Sequence, residues 1–314
     1  MKRLRIFACS TSYDFSLEIC NELGTDLGKM EIIKFDNDNK FIRILETVRE
    51  DDCFVIQTSM PPVDENLMEL LIAIDALKRA SAARVTAVVP YYPYVRSDKK
   101  DQPRVPITAR LVADLLTAAG ADRILTCDLH SAQIQGFFKI PVDHLTAINL
   151  LCEYLTHKKI PNLVVVATDA GSSKKAYRYA KMLHAPIAML DKRRLGNDQE
   201  VEIEHVIGDV EGKNIVIFDD EIDRASSVKQ AIEILIKYNI KDIYVGCTHP
   251  VLSGPAIERL RNLPIKEIIT TNTIPLKNEK KLDNMTILSI APLFAQAIKR
   301  IHTGQSIGKL LGET

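Results

Sequence analysis

In this chain, short runs of mostly apolar residues alternate with longer segments in which apolar residues have helical spacing. The runs at 4–8, 84–90 and 163–167 have the length of buried strands, whereas 66–82 places apolar residues along one helical face. Regular alternation of strands with helices is typical of a parallel sheet covered by helices. The pattern therefore predicts an α/β fold.

The alternation runs along the chain twice, starting again after residues 142–154, and no low-complexity linker separates the two halves. A length of 314 residues also suits two domains of ordinary size. We therefore predict one domain at 1–145 and a second at 146–314. The predicted strands are 4–8, 31–35, 53–57, 84–90, 123–127, 163–167, 187–191, 215–218 and 242–248, and the predicted helices are 15–23, 66–82, 107–119, 174–183 and 231–238.

The segment 214–230 joins a strand, a loop and a helix, and its strand ends in the acidic residues 219–221. In open α/β sheets, ligands bind outside the carboxyl ends of the strands. Carboxylates there can accept hydrogen bonds from neighbouring hydroxyls, and the free N–H groups of a helix start can hold an anion. This combination predicts a ribose phosphate site. The alternative is a solvated strand end at which Asp223 or Ser226 caps the helix.

Other predicted strands also end in polar residues. Asp128 and His130 follow one strand and Asp169 follows another, which suggests a site for a hard cation, although a lone histidine there is more often structural. The basic residues 192–194 follow a third strand. They could close over phosphates, or they could form an ordinary solvated face.

Composition narrows the possible partners. Lysine plus arginine equals aspartate plus glutamate at 41 each, so no overall charge favours nucleic acid or a membrane surface. The six cysteines are scattered without C-x-x-C spacing, which fits a reducing cytoplasm. The first ten residues become polar too soon for a signal peptide, and no apolar stretch has membrane-spanning length. We expect a cytoplasmic protein with no nucleic-acid or membrane partner.

Six sequence blocks, in order, resemble the ribose-phosphate pyrophosphokinases, also called phosphoribosyl pyrophosphate synthetases. The resemblance runs from about residue 4 to the C-terminus and implies two tandem phosphoribosyltransferase-like domains, each a mostly parallel sheet flanked by helices. It also implies an active site between the domains, and dimers that commonly assemble into hexamers. The matching blocks are MELLIAIDALKRASA (68–82), PYYPYVRSD (90–98), DLHSAQIQGFF (128–138), DKRR (191–194), DDEID (219–223) and THPVLSGPA (248–256).

The resemblance implies transfer of the β,γ-diphosphate of Mg-ATP to the 1-hydroxyl of ribose 5-phosphate, giving phosphoribosyl pyrophosphate and AMP. It also implies Mg²⁺ as cofactor and phosphate or ADP as regulators. The implied site residues are as follows: Lys192 and Arg194 as catalytic; Phe35, Asn37, Asn39, Arg96 and Ser97 for ATP; Asp219, Asp220, Asp223, Arg224, Ala225, Ser226 and Ser227 for ribose phosphate; Asp169, Ala170, Gly171 and Ser172 for diphosphate; His130 and Asp169 for metal; Thr47, Arg49 and Ser81 for regulators.

The chain departs from the family in several loops. Residues 35–39 read FDNDN where FSDGE is usual, and Ser97 and Ser172 replace a glutamine and a glycine. Residues 224–227 read RASS where the family has Thr-x-Gly-Thr, so Ser226 replaces a glycine. If that position requires a positive φ, we expect strain of about 1–3 kcal/mol. Arg224 could contact phosphate or obstruct the pocket.

An active diphosphokinase is the main hypothesis, because the implied metal ligands, the basic pair and the three ribose-site aspartates are all present. The rival is a weak or inactive nucleotide-binding paralogue that regulates or co-assembles with an active synthetase. A changed nucleotide or sugar phosphate is a third hypothesis. A plain phosphoribosyltransferase would leave the matching N-terminal half unexplained.

Overall fold

A computed structural model describes residues 2–194 and 201–310, except for the side chains of 192–194, 201–204 and 309. The strands are β1 (Leu4–Ala8), β2 (Met30–Lys34), β3 (Lys40–Ile44), β4 (Asp52–Ile56), β5 (Arg84–Val89), β6 (Arg123–Cys127), β7 (Val142–Leu145), β8 (Leu163–Ala167), β9 (Ile187–Arg194), β10 (Val201–Ile207), β11 (Asn214–Glu221), β12 (Ile243–His249), β13 (Ile265–Thr271) and β14 (Met285–Leu288). The helices are α1 (Tyr13–Leu23), α2 (Val63–Arg79), α3 (Thr108–Ala118), α4 (Ile148–Lys158), α5 (Ser173–Leu183), α6 (Ser226–Leu235), α7 (Ala256–Arg261) and α8 (Ala291–His302).

The described residues divide into two compact units. The first comprises 2–146, 272–275 and 289–310, and the second comprises 147–194, 201–271 and 276–288. The chain first passes from one unit to the other between residues 146 and 147, next to the boundary predicted at residue 145. The structure differs from the prediction at the C-terminus, where α8 packs with the first unit. Phe294 of α8 is fully buried and meets the ring of Phe15 in α1 edge-on, with 5.4 Å between ring centroids.

The first unit contains a five-stranded parallel sheet with strand order β1-β4-β5-β6-β7. Strand β4 is buried along its whole length, as expected for a strand covered on both faces. Strands β2 and β3 form a separate antiparallel hairpin. The predicted strand at 31–35 is therefore present, but it lies outside the parallel sheet because the five-residue connection 35–39 returns the chain directly.

The second unit contains a seven-stranded sheet with strand order β10-β9-β8-β11-β12-β13-β14. All its strand pairs are parallel except β10 with β9. Strand β11 lies between β8 and β12, and residues 214–218 are buried. The carboxyl ends of β8, β9 and β11 consequently meet at one edge of this sheet. None of the described helices is long and apolar enough to cross a membrane.

Candidate functional site

The acidic end of β11 carries two adjacent carboxylates. Asp220 is almost fully buried, and the Lys175 ammonium of α5 forms an ion pair with its carboxylate. The Asp220 N–H donates to Oδ1 of Asp219 at 2.9 Å. The strand end therefore places Asp219 and Asp220 beside the Lys175 ammonium, which is a different arrangement from a fully solvated acidic turn.

The ionisation of Asp219 follows from this crowding. Burial raises the pKa of Asp219 well above its usual range, and the hydrogen bond and charge of Asp220 act in the same direction. The Lys175 ammonium lowers the pKa of Asp219, but by less. The pair can thus hold a proton near neutral pH, and a ligand that donates hydrogen bonds would favour its ionised form.

Helix α5 supports this strand end with residues one turn apart. Lys175 reaches Asp220, and Tyr179 stacks on Phe218 with 3.7 Å between centroids and 5° between ring planes. Gly246 of β12 makes room for Phe218, because a Cβ at Gly246 would lie 2.5 Å from the Phe218 ring. Close packing behind the acids therefore fixes their position on the sheet.

The loop after β8 is closed by its own side chains. The Ser172 N–H donates to Oδ1 of Asp169 at 2.7 Å, and the Asp169 N–H donates to Oγ of Ser172 at 3.1 Å. The Ser173 hydroxyl donates to the Ala170 carbonyl at 2.7 Å, and Gly171 completes the turn. Ser172 has φ −83°, so replacing the family's glycine brings no backbone strain here.

In the loop after β11, the residue with the unfavourable backbone conformation is Ala225, one position before Ser226. Ser226 is the first residue of α6, whereas Ala225 has φ 57° and ψ 21° in the left-handed region. The condition for strain at Ser226, a positive φ, is therefore not met, because the helix has already begun there. Asp223 hydrogen-bonds the Ser253 hydroxyl. The Arg224 side chain is exposed on the surface of the second unit.

Lys192 and Arg194, the two residues predicted to be catalytic, belong to strand β9. In the pairing with β10, Lys192 lies opposite Ile203 and Arg194 lies opposite Val201. The side chains of Lys192 and Arg194 lie outside the described part of the structure. Their strand nevertheless borders β8, which ends in the Asp169 loop.

A cavity of about 780 Å³ in the first unit contains three of the residues predicted to bind ATP. Phe35, Asn37 and Asn39 line it from the hairpin loop, and Glu65 and Met68 line it from α2. About half of the Phe35 surface is exposed, so its ring is accessible to a planar group. The sequence prediction of a shared binding loop at 35–39 thus coincides with an open cavity.

The side-chain amide of Asn37 makes a hydrogen bond within this loop that a carboxylate could also make. Oδ1 of Asn37 accepts from the Asn39 N–H at 3.2 Å, a bond that a carboxylate oxygen could equally make. Lys34 and Lys40 each pair with Glu65 at 3.1 Å, which ties the hairpin to α2. The loop still carries two carboxylates, those of Asp36 and Asp38, and Asp38 lines the cavity.

Arg96 and Ser97 follow β5 in the first unit. Arg96 is exposed. Oγ of Ser97 accepts from the Thr108 N–H at 3.2 Å, and its carbonyl accepts from the Ala109 N–H at 3.1 Å. Ser97 therefore caps the start of α3, which is a structural role in addition to the predicted ATP contact.

The two predicted metal ligands come from different units. His130 is exposed after β6 of the first unit, and Asp169 follows β8 of the second. Within residues 2–194 and 201–310, no cluster of three or more His, Cys, Asp or Glu side chains is arranged to hold a metal ion. Mg²⁺ bound through nucleotide phosphates needs only one or two protein carboxylates.

The predicted regulatory residues lie together at the opposite edge of the first sheet. Thr47 and Arg49 precede β4 and are exposed, and Ser81 precedes β5. The Glu50 N–H donates to the Ser81 carbonyl at 2.9 Å, which joins the two loops. Because β4 and β5 are parallel, both loops lie at the amino ends of their strands, away from Arg96 and His130.

Three contributors to the second unit's site had not been assigned a role. The sequence predicts that Lys175 lies on a helix, one turn before Tyr179. It does not identify Asp220 as the partner of Lys175. Ser253 belongs to a matching block without an assigned function. Arg259 contacts residues more than thirty positions earlier, and no local pattern indicates that pairing.

Comparison with known proteins identifies relatives of nearly equal length. A profile described as the N-terminal domain of ribose phosphate pyrophosphokinase matches residues 4–120, and one described as phosphoribosyl synthetase-associated domain matches 199–312. The ribose-phosphate pyrophosphokinase of Clostridium acetobutylicum is 47% identical over 99% of this chain and 98% of its own. That of Bacillus subtilis is 45% identical over 98% of this chain and 97% of its own.

Comparison of the fold with solved structures identifies the same family. The crystal structure of phosphoribosylpyrophosphate synthetase from Mycobacterium smegmatis superposes with a TM-score of 0.91 at 42% identity. The match covers 96% of this chain and 100% of that one. These similarities confirm the fold and the family resemblance predicted from the sequence.

We expect Asp219→Asn to stabilise the ligand-free protein near neutral pH, because asparagine imitates the protonated carboxyl that burial favours. An aspartate in the unfolded chain ionises from about pH 4 upward. The folded protein keeps that proton up to the raised pKa of Asp219, so the wild-type free energy of unfolding falls across this interval. The melting temperature of the variant should exceed that of wild type more near neutral pH than at about pH 5.

The control is Asp209→Asn, which neutralises an exposed aspartate of the same unit. Its melting temperature relative to wild type should not show the same rise with pH. An unchanged difference between Asp219→Asn and wild type at both pH values would contradict a raised pKa.

Proposed function

Because the chain belongs to the ribose-phosphate pyrophosphokinase family, we propose that it transfers the β,γ-diphosphate of ATP to the 1-hydroxyl of ribose 5-phosphate. The products are phosphoribosyl pyrophosphate and AMP. Membership of this family makes the chain an enzyme. The observation that carries the proposal is the end of β11, where two crowded carboxylates precede the start of α6.

Asp219 and Asp220 bind the ribose. Adjacent carboxylates can accept hydrogen bonds from two neighbouring hydroxyls, and such donors would relieve the repulsion within the pair. The first N–H groups of α6 lie beyond the loop and favour an anion, which is the 5-phosphate. Asp223, Ala225 and residues 226–227 shape the loop between the two groups.

The 169–172 loop holds the diphosphate, and residues of the first unit hold the nucleotide. The hydrogen bonds between Asp169 and Ser172 keep this loop compact at the start of α5, where N–H groups again favour negative charge. Phe35 contacts the adenine, and Asn37 and Asn39 supply amide donors and acceptors. Arg96 contacts the ATP phosphates, with Ser97 holding the segment at α3.

Mg²⁺ suits the donors at the end of β8. The Asp169 carboxylate offers oxygen to a hard cation beside the acids of β11, and His130 is the second proposed ligand. When bound, Mg²⁺ supplies positive charge that offsets the negative charge of the phosphates. Lys192 and Arg194 add charge that acts most strongly as the diphosphate is transferred.

The altered loops are compatible with an active enzyme. Ser172 occupies an ordinary backbone conformation, and Ser226 begins a helix, so neither replaced glycine leaves a strained residue behind. This favours activity over the weak or inactive paralogue. Phosphate or ADP binding at Thr47, Arg49 and Ser81, assembly into dimers and hexamers, and a cytoplasmic location complete the proposal.

The direct test is formation of AMP and phosphoribosyl pyrophosphate by the purified chain with ATP, ribose 5-phosphate and Mg²⁺. The matched variant is Asp220→Asn, which preserves size and removes the charge paired with Lys175. We expect product from wild type and loss of most activity in the variant, because the ribose loses an ionic acceptor. A folded wild type that binds nucleotide but forms no product would favour the regulatory paralogue.

Lys192→Ala should lower kcat far more than it raises the KM for ATP, because its charge acts mainly on the transition state. A loss of about a hundredfold or more is expected when a charged group that stabilises the transition state is removed. Steady-state kinetics with each substrate varied in turn would measure both constants. Equal kcat values for variant and wild type would remove the assigned role.

Arg224→Thr introduces the family's residue at the loop and separates the two roles of this arginine. If the guanidinium contacts the 5-phosphate, the KM for ribose 5-phosphate should rise about ten- to a hundredfold, as for loss of one hydrogen bond to a charged group. The KM for ATP should stay unchanged. A lower KM for ribose 5-phosphate would show that Arg224 obstructs the pocket.

A further inference from the structure

The loop between β11 and α6 is anchored by two apolar residues. Ile222 and Ala225 are buried. Arg224, which lies between them, and Ser226, which follows Ala225, are exposed. Ala225 is held in the left-handed region at φ 57°, which is unfavourable by about 1–2 kcal/mol for a residue with a Cβ. Contacts outside the loop must therefore hold this conformation.

The segment from β12 to α7 supplies those contacts. The Leu252 N–H donates to the Ile222 carbonyl and the Ser253 N–H to the Asp223 carbonyl, both at 2.9 Å. The Ser253 hydroxyl also bonds the Asp223 side chain. These bonds fix the first half of the loop.

Arg259 of α7 fixes the second half. Its Nη1 atom donates to the Arg224 carbonyl at 2.9 Å and to Oγ of Ser226 at 2.6 Å. The two acceptors lie on either side of Ala225, so a single guanidinium nitrogen spans the left-handed residue. The second bond exists only because serine stands where the family has glycine.

The charge of Arg259 also lies at an unusual place. A cation at the amino end of a helix opposes the helix dipole, which favours negative charge there. Helix α6 has no acidic residue in its first turn, and its N-cap residue, Ala225, has no side chain that could accept a hydrogen bond. An anion at this end would turn an unfavourable arrangement into a favourable one.

We propose that Arg259 is a positioning residue for the ribose-phosphate loop, and that its bonds to Arg224 and Ser226 set the affinity for ribose 5-phosphate. The inference rests on the proposed function, because it assumes that this loop receives the 5-phosphate. Arg259 acts through the loop, by holding the α6 N–H groups in the geometry that the phosphate needs. A purely structural arginine would affect stability without selecting one substrate.

The experiment compares Arg259→Ala, Arg259→Lys, Ser226→Ala and the double variant Ser226→Ala/Arg259→Ala with wild type. The control is Arg261→Ala, which removes an exposed arginine two positions further along the same helix. Steady-state kinetics give kcat and the KM for each substrate. Calorimetry gives the Kd for ribose 5-phosphate with Mg²⁺ and a non-hydrolysable ATP analogue, and melting curves verify folding.

We expect Arg259→Ala to raise both the KM and the Kd for ribose 5-phosphate about tenfold, with the KM for ATP unchanged. Ser226→Ala should raise them about two- to fourfold, because one of the two bonds remains. The double variant should match Arg259→Ala, since both changes remove the same bond. Arg259→Lys should recover part of the loss, and Arg261→Ala should behave as wild type.

The outcomes separate the inference from the proposed function. Wild type that turns over normally, with an unchanged Kd for ribose 5-phosphate in Arg259→Ala, would overturn the inference alone. Wild type that neither forms product nor binds ribose 5-phosphate would overturn both. If wild type binds without turnover, the Kd values still decide the role of Arg259. If Arg259→Ala does not fold, Ser226→Ala and Arg259→Lys decide it.

Discussion

The crowding of two carboxylates at the end of a buried strand is the constraint around which the second unit is arranged. Asp219 and Asp220 are adjacent and partly removed from water, and the Lys175 ammonium pairs with Asp220. Like charges in such a place favour retention of a proton. The packing of Tyr179 on Phe218, made possible by Gly246, prevents the strand end from relaxing away from this repulsion. The acids thus remain available to hydrogen-bond donors.

Hydroxyl groups compensate for the glycines that this chain lacks. A glycine in a phosphate loop offers backbone freedom and close approach. Ser172 instead joins Asp169 through reciprocal hydrogen bonds, and Ser226 accepts a hydrogen bond from Arg259. Both loops therefore gain defined side-chain bonds where the family relies on an unsubstituted backbone. The remaining left-handed position falls on Ala225, whose methyl group is buried and adds apolar contact.

Much of the fold was predictable because local hydrophobic patterns decide it. The strands at 4–8, 123–127 and 163–167 have the predicted bounds, since each is a short, mostly apolar run. The position of α8 was not predictable, because its packing depends on the contact of Phe294 with Phe15, far apart in sequence. The antiparallel pairing of β2 was missed for a related reason: the sequence shows a strand but not its partner.

The candidate site shows the same division between local and distant information. Motifs locate the acids, the loops and the residues proposed to bind substrate, because residue type and position after a strand are local properties. The partners Lys175 and Arg259 become visible only when α5 and α7 are packed beside β11 and its loop. The exact residue with positive φ, Ala225 and not Ser226, likewise depends on where α6 begins.

Stability without ligand and the proposed binding of an anionic sugar place opposite demands on this site. The ionised form of Asp219 would be more stable without a neighbouring carboxylate. Helix α6 would be more stable with an acid in its first turn instead of the Arg259 cation. Each unfavourable feature becomes favourable with one part of a ribose phosphate, the hydroxyls for the acids and the phosphate for the cation. A loop selected for stability alone would carry neither feature. Their presence at adjacent ends of β11 and α6 supports the proposal that this edge of the sheet is a binding site and not a solvated strand end.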